Sequence, residues 1–170
     1  METKEISRET IELLLSLMEK TIGENGVKTI VNRLAGNLQG RELVYTFAEE
    51  LMKIYGDKGS FAIIRQLGRD LAKNLMEKYS PDTWPYILEN ALREFGFAQR
   101  INLEDMRAGI CSCVFYELLS RDNLKPIQHA VCWCGWGFIE GFVREMKGVK
   151  GIQWKERDYE KEICYFEFIK

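Results

Sequence analysis

The stretch Cys132-Trp133-Cys134-Gly135-Trp136-Gly137-Phe138-Ile139-Glu140-Gly141-Phe142 decides how the rest of the chain is read. It lies within a weakly charged segment, Ile127 to Met146, whose aromatic residues fall on several sides when wound as a helix. A helix that is apolar nearly all round is a buried one. Each glycine in a helix interior costs about 1 kcal/mol relative to alanine, so close approach of another backbone or of a ligand must offset the three here. Gly137 and Gly141, four apart, share a face. Two readings follow: tight packing of this helix on a sheet or a second subunit, or a groove for a small molecule, since both demand small residues. The aromatic residues among the glycines favour the groove.

Before this segment, apolar residues recur at helical spacing. Ile11, Leu14, Leu15 and Met18 form one set, Val27, Ile30, Val31 and Leu34 another, with Gly23, Gly26, Gly36 and Gly40 as punctuation. From Gly59 to Tyr79 the positions Phe61, Ile64, Leu67, Leu71 and Leu75 make one stripe, with Arg65, Arg69, Lys73 and Lys78 mostly off it. Ser80-Pro81-Asp82 then opens a shorter helix that runs to Gly96. Beyond Gly96 the period falls to two. Phe97 to Leu103 and Ala108 to Tyr116 read as a hairpin around Glu104-Asp105-Met106-Arg107. After the helical segment, Val149 to Glu156 and Glu162 to Ile169 read as two strands joined by the charged turn Arg157 to Lys161. The expectation is one α+β domain over residues 1–170, with N-terminal helices packed with an antiparallel sheet of about four strands and a buried helix rich in glycine and aromatic residues.

Composition narrows the function. The 170 residues carry 24 Lys+Arg against 26 Asp+Glu, a net charge of −2. No basic surplus exists to neutralise phosphates, so nucleic acid is not an expected partner. Met1 to Thr10 is of mixed charge with no signal-type apolar core, and no window reaches the ~18 apolar residues of a membrane span. A cytoplasmic location is expected. Five cysteines, an odd count, then suggest free thiols or metal ligands and not a disulfide framework.

Cys132 and Cys134, two apart on a helix, point to nearly opposite sides, whereas His129 and Cys132, three apart, share a face. On the last strand Cys164, Phe166 and Phe168 alternate to one side, and Ile152, Trp154 and Glu156 do the same on the strand before it. With the turn centred on Tyr159, Trp154 lies opposite Cys164 and Glu156 is its diagonal neighbour on the face toward the helix. Cys132, Glu156 and Cys164, with His129 or water as a fourth ligand, would suit zinc. The alternative is that both cysteines are small buried hydrophobes and Glu156 a solvated strand end. Cys111 and Cys113, alternating on one strand face, are close enough to meet one ion or oxidant, but they and Cys134 read first as core thiols. Glu140 is expected to pair with Arg144, four residues on. No P-loop, nucleophile elbow, H-E-x-x-H or dinucleotide fingerprint is present, and a catalytic constellation is not expected.

The pattern and order of these residues resemble the 4-vinyl reductase domain family, also described as a hydrocarbon-binding or small-molecule-binding domain. The resemblance lies in Cys132-Trp133 followed by Gly137-Phe138-Ile139-Glu140-Gly141, in the strand ending at Glu156, and in Cys164-Tyr165-Phe166. Gly59-Ser60-Phe61 to Gly68 is similar to the family's N-terminal half, so the likeness covers most of the chain. It implies helices on an antiparallel sheet, a homodimer, and a relationship in shape to vesicle-transport-particle subunits that hold an acyl chain. It also implies zinc in sensory members, held by the residues matching Cys132, Glu156 and Cys164; a further family cysteine falls on Tyr159 here. Residues and resemblance together lead to a domain that binds an apolar or aromatic small molecule through Trp133, Trp136, Gly137, Phe138, Gly141, Phe142 and Trp154. Two alternatives stand beside it: a thiol- or metal-based redox sensor, and an enzyme or accessory protein of tetrapyrrole metabolism.

Overall fold

The computed structural model describes residues 5–34, 36–95, 100–104, 107–111, 113–145 and 148–170, the side chains of 85, 100–104, 107–108 and 110–111 excepted. Five helices dominate it: α1 (Arg8–Val31), α2 (Gly40–Met76), α3 (Trp84–Glu94), α4 (Tyr116–Arg121) and α5 (Cys132–Val143). Ser7 caps α1 by accepting the Thr10 N–H. Gly23 and Gly56 take positive φ, 81° and 72°, and break the helical runs of α1 and α2. The long stripe expected from Gly59 therefore belongs to the part of α2 after Gly56. A single 3-10 turn, Pro81–Thr83, leads into α3.

The strands are short: β1 (Arg100–Glu104), β2 (Arg107–Cys111), β3 (Gly151–Asp158) and β4 (Ile163–Ile169). The expected α+β balance, N-terminal helices packed with an antiparallel sheet of about four strands, is corrected toward helix. The chain is mostly helical, and α2 alone, at 37 residues, is longer than all the strands together. Side chains are described in full on both strands only for the antiparallel hairpin β3–β4. β1 and β2, described by their backbone, add to its β4 edge in the order β1-β2-β4-β3. Part of the expected strand Phe97 to Leu103, and residues 105 and 106, lie outside the described residues. The expected strand Ala108 to Tyr116 stops at Cys111, and Tyr116 opens α4 instead. Val114, Phe115, Leu118 and Leu119 are all buried. An apolar run of this length is compatible with strand or buried helix, and its periodicity alone does not separate them.

The centre of the molecule is the crossing of α2 on α5, the most extensive contact between any two elements. α1 packs on α2 and β3 on α5. A Cβ at Gly68 would overlap the Cys134 carbonyl, one at Gly137 the Arg65 carbonyl, and one at Gly141 would lie 2.6 Å from the Ala72 Cβ. These small residues let the two backbones touch, which is how α5 offsets the helix propensity it gives up.

Candidate functional site

The hairpin carries an irregularity that determines what faces α5. Its turn is closed by the pair Asp158–Ile163, with the Asp158 carboxylate accepting the N–H groups of Glu160 (3.1 Å) and Lys161 (3.0 Å). Further along, Trp154 pairs with Phe166. Between these two pairs β3 advances four residues and β4 three, so Lys155 is the extra residue of a β-bulge. Because side chains alternate, one inserted residue exchanges the faces beyond it. Glu156 is exposed and Arg157 is buried, and Arg157 stands opposite Cys164. The expected pairing of Trp154 with Cys164, and with it the inward Glu156, is corrected: the chain turns a guanidinium inward where a carboxylate was expected. Starting the turn at Asp158, a residue suited to it, would have placed Arg157 beside Cys164 from the sequence.

Between α5 and this hairpin lies a cavity with almost wholly apolar walls, lined among others by Leu92, Leu119, Ile127, Val131, Trp136, Trp154 and Phe166. The space open to the centres of water-sized spheres is about 60 Å³, a slot wide enough for several waters or a slender chain. Gly135 also lines it, and a Cβ there would meet nothing within 4 Å. Ile127 enters the lining with φ at 64°, a conformation β-branched residues rarely hold.

The expected ligand-binding residues divide between two faces. Trp136 and Trp154 line the cavity. Trp133 stacks behind Trp136 at 4.5 Å and against Phe61 at 5.1 Å, and its Nε1 donates to the Ile127 carbonyl at 3.2 Å. Gly137 and Gly141 are spent on the crossing with α2, and Phe138 and Phe142 are buried core rings in edge contact at 5.2 Å. The expected Glu140–Arg144 pair is also replaced. Glu140 faces α2, where Arg65 and Arg69 both hold its carboxylate. Burial would push that carboxyl up, but the hydrogen bonds from the two arginines outweigh it and hold it below the ordinary range. Arg65 also lies over the Trp136 ring, 4.9 Å from its centroid.

Cys132, Cys164 and Cys113 all line the cavity, Cys113 having been read first as a core thiol, while Cys134 is buried against α2. His129 is not in the lining. It is buried and stacked on Tyr45 at 4.0 Å, with Nδ1 accepting the Val131 N–H at 3.1 Å and Nε2 3.7 Å from Glu49. Burial lowers its pKa to about 4, so it is neutral at pH 7. Among the described residues no three of His, Cys, Asp and Glu converge as a metal would require. With Glu156 turned out, His129 on another face and a guanidinium beside Cys164, the expected donor set does not fit zinc. Tyr159, at the position of the family's further cysteine, is exposed on the hairpin turn. The Cys111 side chain lies outside the described residues.

Arg157 is what the sequence reading left out. It is 8% exposed and its guanidinium carbon lies 3.6 Å from the centroid of the Tyr116 ring. Nη1 donates to Cys164 Sγ at 3.3 Å. Nε and Nη2 are buried and have no hydrogen-bond partner among the described residues. Trp136 Nε1 is in the same condition. Compared with known proteins, the chain matches no family model and no curated protein.

Proposed function

We propose that this chain is a small-molecule-binding domain whose ligand, apolar or aromatic in its body, occupies the cavity between α5 and the β3–β4 hairpin. The observation that carries the reading is the cavity itself, with almost wholly apolar walls and the rings of Trp136, Trp154 and Phe166 in its lining. Ring faces offer stacking to a flat ligand and contact area to a chain. The resemblance to hydrocarbon-binding domains agrees with this; the homodimer it implies, and the cytoplasmic location expected from the sequence, belong to the same proposal. Among the described residues no helix is long and apolar enough to cross a membrane.

A thiol sensor would require a thiolate. Burial pushes Cys132 and Cys134 up to about 12, which leaves both protonated at neutral pH. That argues against these two thiols as the sensing groups. Titration of the protein with 1-octanol, followed by tryptophan fluorescence, is expected to saturate at one ligand per chain. Gly135→Leu, which fills the slot from a position where a new side chain meets no neighbour at Cβ, is expected to keep the melting temperature and abolish saturation. A wild-type protein that shows no saturable change with 1-octanol or any chain-matched ligand would overturn the reading.

A further inference from the structure

We infer that the ligand carries a carboxylate, received by the Nε–Nη2 edge of Arg157. The inference rests on the ligand-binding reading above and adds the chemistry of one end of the ligand. A guanidinium offers two kinds of surface, its flat face and its in-plane N–H groups. Tyr116 covers the face. In the plane, Nη1 is engaged by Cys164 Sγ, and the two nitrogens without partners are Nε and Nη2. These two share one edge, with parallel N–H groups spaced like the oxygens of a carboxylate. Arg157 lines the cavity, so the edge belongs to a residue at the boundary of the apolar slot.

Burial makes the arrangement informative. Unpaired N–H groups on a buried cation are costly, and Glu140 on the opposite side of α5 shows how this fold treats a buried charge when it is structural, with two arginines on one carboxylate. Nothing comparable completes Arg157 among the described residues. A cation bound there would meet the guanidinium's charge. A phosphate dianion would bring more oxygens than one edge can pair in an apolar cavity. A monocarboxylate on an apolar or aromatic body satisfies the edge with two oxygens and the slot with the remainder.

The test compares octanoate with 1-octanol, which share a chain and differ at the head, at pH 8 by calorimetry. Wild-type protein is expected to bind octanoate about 10- to 100-fold more tightly, the ratio expected of a charge-assisted, two-point contact. Arg157→Met is expected to bring the ratio near one while 1-octanol still binds saturably, which shows that the cavity survives. Arg157→Lys, which keeps the charge without the fork, is expected to fall between, and serves should the methionine variant not fold. Equal wild-type affinities for acid and alcohol, or a ratio unaffected by either substitution, would overturn the carboxylate inference and leave the proposed function standing. If neither compound binds, both fail.

Discussion

The two faces of α5 are built from the same residue types and end in opposite conditions. Toward α2, Gly137 and Gly141 are filled by the neighbouring helix, and the buried charge of Glu140 is held by Arg65 and Arg69. Toward the hairpin, Gly135 has open space at its Cβ, and the buried charge of Arg157 keeps two donors without partners. One face is completed by the fold and the other is not. A glycine in a buried helix is therefore informative only with its neighbour known, and a buried charge is best read by how fully it is paired.

The most forceful way to break this comparison is alanine at the two kinds of glycine. A Cβ at Gly137 overlaps the backbone carbonyl of Arg65, an atom that moves only with α2 itself. Gly137→Ala is expected to cost about 3 kcal/mol or more, at or beyond the upper end of ordinary overpacking, as read by chemical denaturation. The paired charges come next. Glu140→Gln leaves two arginines facing a neutral amide, and is expected to cost about 3 kcal/mol, near the lower end for a broken buried pair because Arg65 and Arg69 are 28% and 32% exposed. If Glu140→Gln were neutral while Arg157→Met destabilised, the assignment of structural and ligand-facing roles would be reversed.

A third test sharpens the comparison with His129, whose Nε2 is also buried without a hydrogen bond but which lies outside the cavity lining. Its folded pKa, about 4, is below the ordinary 6.5. The unfolded chain therefore binds the proton first, so its contribution is full above pH 6.5 and is lost as pH falls from there to about 4. The loss amounts to about 3 kcal/mol at most. Melting temperature measured across this window is expected to decline in the wild type and to decline less in His129→Asn. The smallest effect is expected from Gly135→Ala, which meets nothing within 4 Å and should stabilise by about 0.5–1 kcal/mol through helix propensity alone.

Much of the helical half was legible because periodicity and glycine punctuation are local. The stripe Ile64, Leu67, Leu71, Leu75 is buried as expected from its spacing, and Gly23 shows positive φ where α1 breaks. The sheet half was less legible. Val114 to Leu119 is apolar enough for either a strand or a buried helix, and the surrounding packing chose the helix. Of the candidate site, Cys132, Cys164, Trp136 and Trp154 meet at one cavity, but Glu156, His129, Gly137 and Gly141 lie elsewhere.

By itself the sequence determined that α5 is buried, that it carries glycines needing a reason, and that two thiols and two indoles stand near it in order along the chain. Local composition and spacing are sufficient for those statements. Only the tertiary structure decided which glycines meet α2 and which faces open space, because that depends on the rotation of one helix against another. It also decided the sign of the charge at the cavity. One extra residue, Lys155, lies between two paired positions of a hairpin, and strand alternation then turns Glu156 out and Arg157 in.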